Sequence, residues 1–182
     1  MKTLSIIVLA GLLFVSCKKE LALLPQSAQP AMLNVAKLQD TLADGAFFRI
    51  RLQKDSSPID ETVIVYRHTA PLNYDPSVDA EYFQGFGIAS LSSITNDNIP
   101  CAIQTIPFSE NNTVKLNLGS QNDNNYILRI SALAKLPASL HIWLKDSLLK
   151  DSLDLRIANY AFKVNKCDTS SFGTGRFKII VR

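Results

Sequence analysis

The sequence predicts an all-β domain, an antiparallel β-sandwich of jelly-roll-like or Ig-like type, with a closed barrel as the alternative. Three observations carry this expectation. At least seven segments alternate or cluster apolar residues as strands with one dry and one wet face do. Turn-rich stretches separate them, among them Asp55-Ser56-Ser57-Pro58, Asn122-Asp123-Asn124-Asn125 and residues 170–175. Helical periodicity of any length is absent. Two packed sheets are favoured over a barrel because the core candidates are large and no lining of an interior ligand cavity is visible.

The first element is not part of the fold. Met1-Lys2 is followed by an apolar run over residues 4–15, and Ser16-Cys17 closes it before Lys18-Lys19-Glu20. A dozen apolar residues are too few to cross a hydrocarbon core that needs roughly 20. They fit the apolar region of an export signal. The cysteine at the junction of Phe14-Val15-Ser16-Cys17 makes this resemble a bacterial lipoprotein signal. That resemblance implies cleavage before Cys17, with diacylation of its thiol and acylation of its new amine. Residues 1–16 are therefore expected to be a signal peptide, 17–44 a lipidated tether and 45–182 the β-domain. Pro25 and Pro30 interrupt the tether. Residues 31–42 fit a short helix, an edge strand or more tether.

Beyond Gly45 the strands follow in order. Phe48, Ile50 and Leu52 alternate with Phe47, Arg49 and Arg51, and residues 62–66 form a β-branched and aromatic run. Val114, Leu116 and Leu118 then alternate with Thr113, Lys115 and Asn117, and Tyr126, Leu128 and Ile130 with Ile127, Arg129 and Ser131. Ile142 and Leu144 oppose His141, Trp143 and Lys145, while Tyr160, Phe162 and Val164 oppose Ala161, Lys163 and Asn165. Phe177, Ile179 and Val181 complete the set. Residues 68–80 and 91–107 read as two long polar connections, the kind of segment that carries recognition on a rigid scaffold or simply lies on the surface.

Charge excludes a nucleic-acid footprint. The formal +3 comes from the N-terminal lysines, because fifteen Lys/Arg balance fifteen Asp/Glu from Leu38 onward. Lys163, Lys166, Arg176, Lys178 and Arg182 form a local C-terminal excess, read as a solvated strand face. With Cys17 consumed by lipid, Cys101 and Cys167 remain as candidates for one disulfide, which spacing alone does not decide. Two histidines, His68 and His141, and no clustered ligands argue against zinc.

No catalytic constellation emerges. There is no Gly-x-Ser-x-Gly turn, and neither histidine has a recognisable partner. Asp75, Asp79 and Glu81 offer oxygen ligands for calcium, although the twelve-residue calcium loop and its glycine are missing. Solvated turn residues are the plainer reading. Tyr66, Tyr74, Tyr82, Phe83, Phe86 and Trp143 cannot all be assigned to the core; core and core-edge filling is the plainer reading, and an aromatic platform for sugar rings or partner side chains is the alternative. Tyr74, Asp75, Asp79 and Trp143 are the candidate binding surface.

Residues 126–130, Leu140-His141-Ile142-Trp143-Leu144-Lys145-Asp146, Asp154-Leu155, Asn159-Tyr160-Ala161-Phe162-Lys163-Val164 and Gly175-Arg176-Phe177-Lys178-Ile179 carry a family pattern. With Asp60-Glu61-Thr62-Val63-Ile64-Val65-Tyr66 and the Asn73-Tyr74-Asp75 loop, residues 46–181 resemble a β-sandwich module of secreted and cell-surface proteins of Bacteroidetes-type bacteria. In those proteins it often precedes the sorting signal of the gliding-associated (type IX) secretion system. The resemblance implies a structural or adhesive module without catalytic residues, in which Asp146 is a turn residue after an apolar strand. The expectation is thus a noncatalytic binding or assembly module in the bacterial envelope, at the outer membrane. It would be held there by its lipid, with an envelope protein or a glycan as partner. A carbohydrate-binding lipoprotein and a small envelope hydrolase are the alternatives.

Overall fold

The computed structural model of the chain describes residues 42–109 and 112–182. The signal, Cys17 and the tether through residue 41 lie outside the described residues. Eleven strands account for the domain: β1 (Ala46–Lys54), β2 (Ser57–Tyr66), β3 (Ala80–Glu81), β4 (Ala89–Ile94), β5 (Pro100–Ile106), β6 (Thr113–Ser120), β7 (Asn124–Ala134), β8 (Ile142–Asp146), β9 (Asp151–Asp154), β10 (Tyr160–Val164) and β11 (Gly173–Val181). Among the described residues a single 3₁₀ turn, Thr169–Ser171, precedes β11.

The strands form one hydrogen-bonded path, β10-β7-β1-β2-β5-β4-β6-β11-β8-β9, with β3 added at β5. All pairs are antiparallel except β2 with β5. The path folds back on itself, so its two halves face each other across one core as the sheets of a sandwich do. Phe162 of β10 and Phe177 of β11 meet there edge to face, 4.8 Å between centroids. The fold is all-β, intermediate between the sandwich and the barrel that the sequence left open. The halves are joined at β4 and β5, which pair only through Ser93–Cys101 and Ile94–Pro100.

The alternation read from the sequence is the burial pattern. Phe48, Ile50, Leu52, Val114, Leu116, Leu118, Tyr126, Leu128, Ile142, Leu144, Tyr160, Phe162, Val164, Phe177, Ile179 and Val181 are all buried in one cluster. Leu42, at the end of the stretch read as tether, is already part of it. Asp55, in the left-handed region at φ 54°, turns β1 into β2.

Two readings are corrected. The segment 91–107 is not a long polar connection, because it holds most of β4 and all of β5. Ser90, Ser92, Ser93 and Thr95 are buried there. Their hydroxyl groups blur the apolar alternation, and partners on other strands and in the following turn compensate some of them. Thr62 Oγ1 donates to Ser93 Oγ at 3.3 Å, Ser93 Oγ donates to the Cys101 carbonyl at 3.2 Å, and the Ile99 amide donates to Thr95 Oγ1 at 2.9 Å. Tyr66 is a core residue, as the plainer of its two readings has it, packed edge to face on Phe108. Arg176 is not on a solvated face but only 1% exposed.

Candidate binding surface

Most of the large apolar side chains exposed among the described residues come from the segments before and after β3 and from β5. The chain leaves β2, makes the 68–79 excursion, adds β3 to β5 through Ala80–Ile103 and Glu81–Cys101, and continues through residues 82–88 to β4. Tyr82 anchors that last loop. Its hydroxyl donates to Asp60 Oδ2 at 2.5 Å, and the same oxygen accepts the Leu91 amide at 2.8 Å. Burial, then the Asp60 contact, pushes the Tyr82 pKa up, so the phenol stays a donor. With one end pinned, the loop presents Phe83, 81% exposed, and Phe86, fully exposed. Leu72, Ile88 and Ile103 are also exposed, so among the described residues five of the eight exposed large apolar side chains come from residues 72–103. Such concentration is the usual mark of an interaction surface.

Carboxylates border this apolar ground. Between Arg67 and Lys115 the chain has no lysine or arginine. Loss of water raises the Tyr74 pKa, and the nearby Glu81, Cys101, Asp79 and Asp75 add to it, which places the phenol among those acids. The Ser77 hydroxyl and amide hold Asp75 below the usual carboxylate range. The Thr95 hydroxyl and Tyr74 amide do the same for Asp97. Both stay ionised at neutral pH.

The structure therefore brings together Tyr74, Asp75 and Asp79 but not Trp143, which stands on β8, four strands from β5 along the path. Asp79 also has a structural task. Its Oδ1 accepts the Thr105 amide at 2.6 Å and its Oδ2 the Asp75 amide at 2.9 Å, tying the loop to β5. Of the carboxylates considered for calcium, Asp75 and Asp79 accept from donors of their own loop and of β5. Phe83 and Phe86 were within reach of sequence reasoning as surplus aromatics. What was missing was the anchor that turns them outward.

Each histidine makes a local tie. His141 Nδ1 lies 2.6 Å from Asp154 Oδ2, and His68 Nδ1 lies 2.7 Å from Asp44 Oδ1. Burial would raise the Asp154 pKa, but His141 and the amides of Arg156 and Ile142 outweigh it and hold it low. Cys101 and Cys167 are not bridged. Cys101 is sealed in β5 with its thiol pushed up to about 12 by burial, while Cys167 is exposed beyond β10. Asp146 does follow an apolar strand and does accept turn amides, from Leu148 at 2.9 Å and Leu149 at 3.2 Å. Its other oxygen receives Arg176 Nη2 at 3.0 Å and the Tyr160 hydroxyl at 3.1 Å inside the core. Two shallow open depressions, of about 500 and 560 Å³, lie beside Arg176 and beside Arg67.

Fold and surface together define a small all-β domain whose exposed large apolar side chains, among the described residues, come mostly from the acid-rich stretch 72–103. Residues 43–180 match the model of a domain of unknown function (DUF8693), and the chain belongs to that family. No curated protein and no solved structure matches it.

Proposed function

We propose that the chain is an envelope-anchored, noncatalytic module that binds or assembles with another protein through the face around β3. One observation supports this reading above the rest: Phe83 and Phe86 project from an uncharged loop whose root is pinned by Tyr82 to Asp60. Exposed aromatic side chains on a rigid root lose little conformational freedom on binding and bury large apolar area. The lipoprotein-type junction at Cys17 supports the location, and multiple acylation would make retention stable.

Chemical crosslinking of the native envelope fraction, read by mass spectrometry, tests the function. Wild-type chain should give a discrete crosslinked species that the Phe83→Ser/Phe86→Ser double variant, folded and equally abundant, loses. An unchanged crosslink pattern in that variant overturns the assignment. Labelling with a tagged fatty acid tests the anchor: label should follow Cys17 and vanish in Cys17→Ser, and an unlabelled wild-type chain refutes it.

A further inference from the structure

The outer face of the other half carries an arrangement with no structural benefit. Lys115 of β6 stands directly opposite Lys178 of β11, and Lys178 directly opposite Lys145 of β8. Neighbouring strands are about 4.8 Å apart, so three ammonium-bearing side chains form a row about 10 Å long across the sheet. All three are exposed, and among the described residues none forms an ion pair. The row continues to Ile94 on β4 and Ser152 on β9, neither of which carries a compensating charge. Like charges directly opposite one another in a sheet are destabilising. The row is therefore a cost that an anionic ligand would remove.

The adjacent row supplies a second kind of contact. Thr113, Ile180 and Trp143 are in register there. Trp143 is half-buried, and the Arg182 guanidinium lies 5.4 Å from its ring centroid. A rigid indole with a cation over it, beside a line of lysines, offers a ring-stacking contact and charges for acidic groups. The side chains here that could enter a bilayer are few, since Trp143 and Ile180 are half-buried in the sheet. Phe83 and Phe86, which do project, follow Glu81 on the acidic face. A hydrated linear ligand therefore fits better than a lipid surface. A single aromatic residue gives no succession of stacking sites of the kind that single-stranded nucleic acid uses.

We propose that the outer face of β6, β11 and β8 binds an acidic polysaccharide, its carboxylates along Lys115, Lys178 and Lys145 and a sugar ring at Trp143. This site is separate from the face around β3 and stands or falls independently of it.

Trp143 is the sole tryptophan of the chain, so its fluorescence reports the site directly. Purified full-length chain is titrated with polygalacturonate, with neutral dextran and with polyphosphate at about 0.1 M salt, where surface charge is screened beyond roughly 10 Å. Polygalacturonate should shift the Trp143 emission saturably and dextran should not. Lys145→Gln/Lys178→Gln should weaken binding at least tenfold with an equal or higher melting temperature, because a repulsion is removed. Phe83→Ser/Phe86→Ser should bind polygalacturonate like wild type, which keeps failure of this site distinct from failure of the β3 face. Unchanged affinity in the lysine variant overturns the proposal. So does binding of polyphosphate without polygalacturonate, which assigns the row to phosphate groups instead.

Discussion

Two corners of the molecule invert the usual rule of what belongs inside. Where β8, β10 and β11 meet, a guanidinium is buried; around β3, two phenylalanines are left in water. The buried charge is fully provided for. Arg176 donates to Asp146 Oδ2 from Nε and Nη2, and Nη1 donates to the Lys163 and Ser171 carbonyls at 2.7 and 2.6 Å. Its guanidinium also lies 4.8 and 4.7 Å from the Phe162 and Phe177 ring centroids. Every element of that corner is tied through one side chain, so its role is to hold the fold. The exposed rings around β3 have no comparable intramolecular satisfaction, and that difference is why the proposed binding is placed there.

The sharpest way to break the contrast is Asp146→Ala. It leaves Arg176 buried and unpaired, and removing one partner of such a pair costs about 3–5 kcal/mol. Urea unfolding should show that loss, and a change under 1 kcal/mol would mean that Arg176 leaves the core. Gly119→Ala comes next. An added Cβ would sit 2.2 Å from Ser90 Oγ but 3.6 Å from Ser90 Cβ. Overpacking of this kind costs about 1–3 kcal/mol. Ser90→Ala should therefore restore most of the loss in the double variant, and additive losses would refute the contact. Tyr160→Phe removes one hydrogen bond to Asp146 while leaving the Arg176 pair, with an expected cost of about 0.5–1.5 kcal/mol.

The Asp154 tie gives a pH dependence. Its folded pKa is lowered, so its stabilisation is complete above the ordinary carboxylate value near 3.8 and is lost as pH falls through and below it. Asp154→Asn should flatten the fall in stability between pH 5 and 3, and an identical slope would assign the acid sensitivity elsewhere. The smallest expected effect on stability is at the other corner. Phe83→Ser/Phe86→Ser should lie within about 0.5 kcal/mol of wild type, as substitutions at exposed sites usually do. A larger loss would make the loop a packing element and erase the contrast.

Most strands were legible because alternation is a local property. Phe48, Ile50 and Leu52 face the core in the order in which they are written, since a strand sends successive side chains to opposite sides. β4 was not legible, because Ser90 and Ser93 interrupt the apolar pattern until Tyr82, Thr62 and Cys101 arrive to bond them. Arg176 was misjudged for the same reason: its partners lie at positions 146, 163 and 171. Tyr74, Asp75 and Asp79 lie in one excursion of the chain, and their proximity in sequence already placed them side by side. Trp143 was grouped with them by residue type, and the strand order parts them.

By itself the sequence determined that this is a sheet protein and which side chains turn inward, because both follow from the period of hydrophobicity along a few neighbouring residues. Only the tertiary structure decided that an arginine is buried, that two cysteines stand apart, and that three lysines share a row. Those outcomes depend on register and strand order, which bring together groups tens of residues apart, and no local pattern records that.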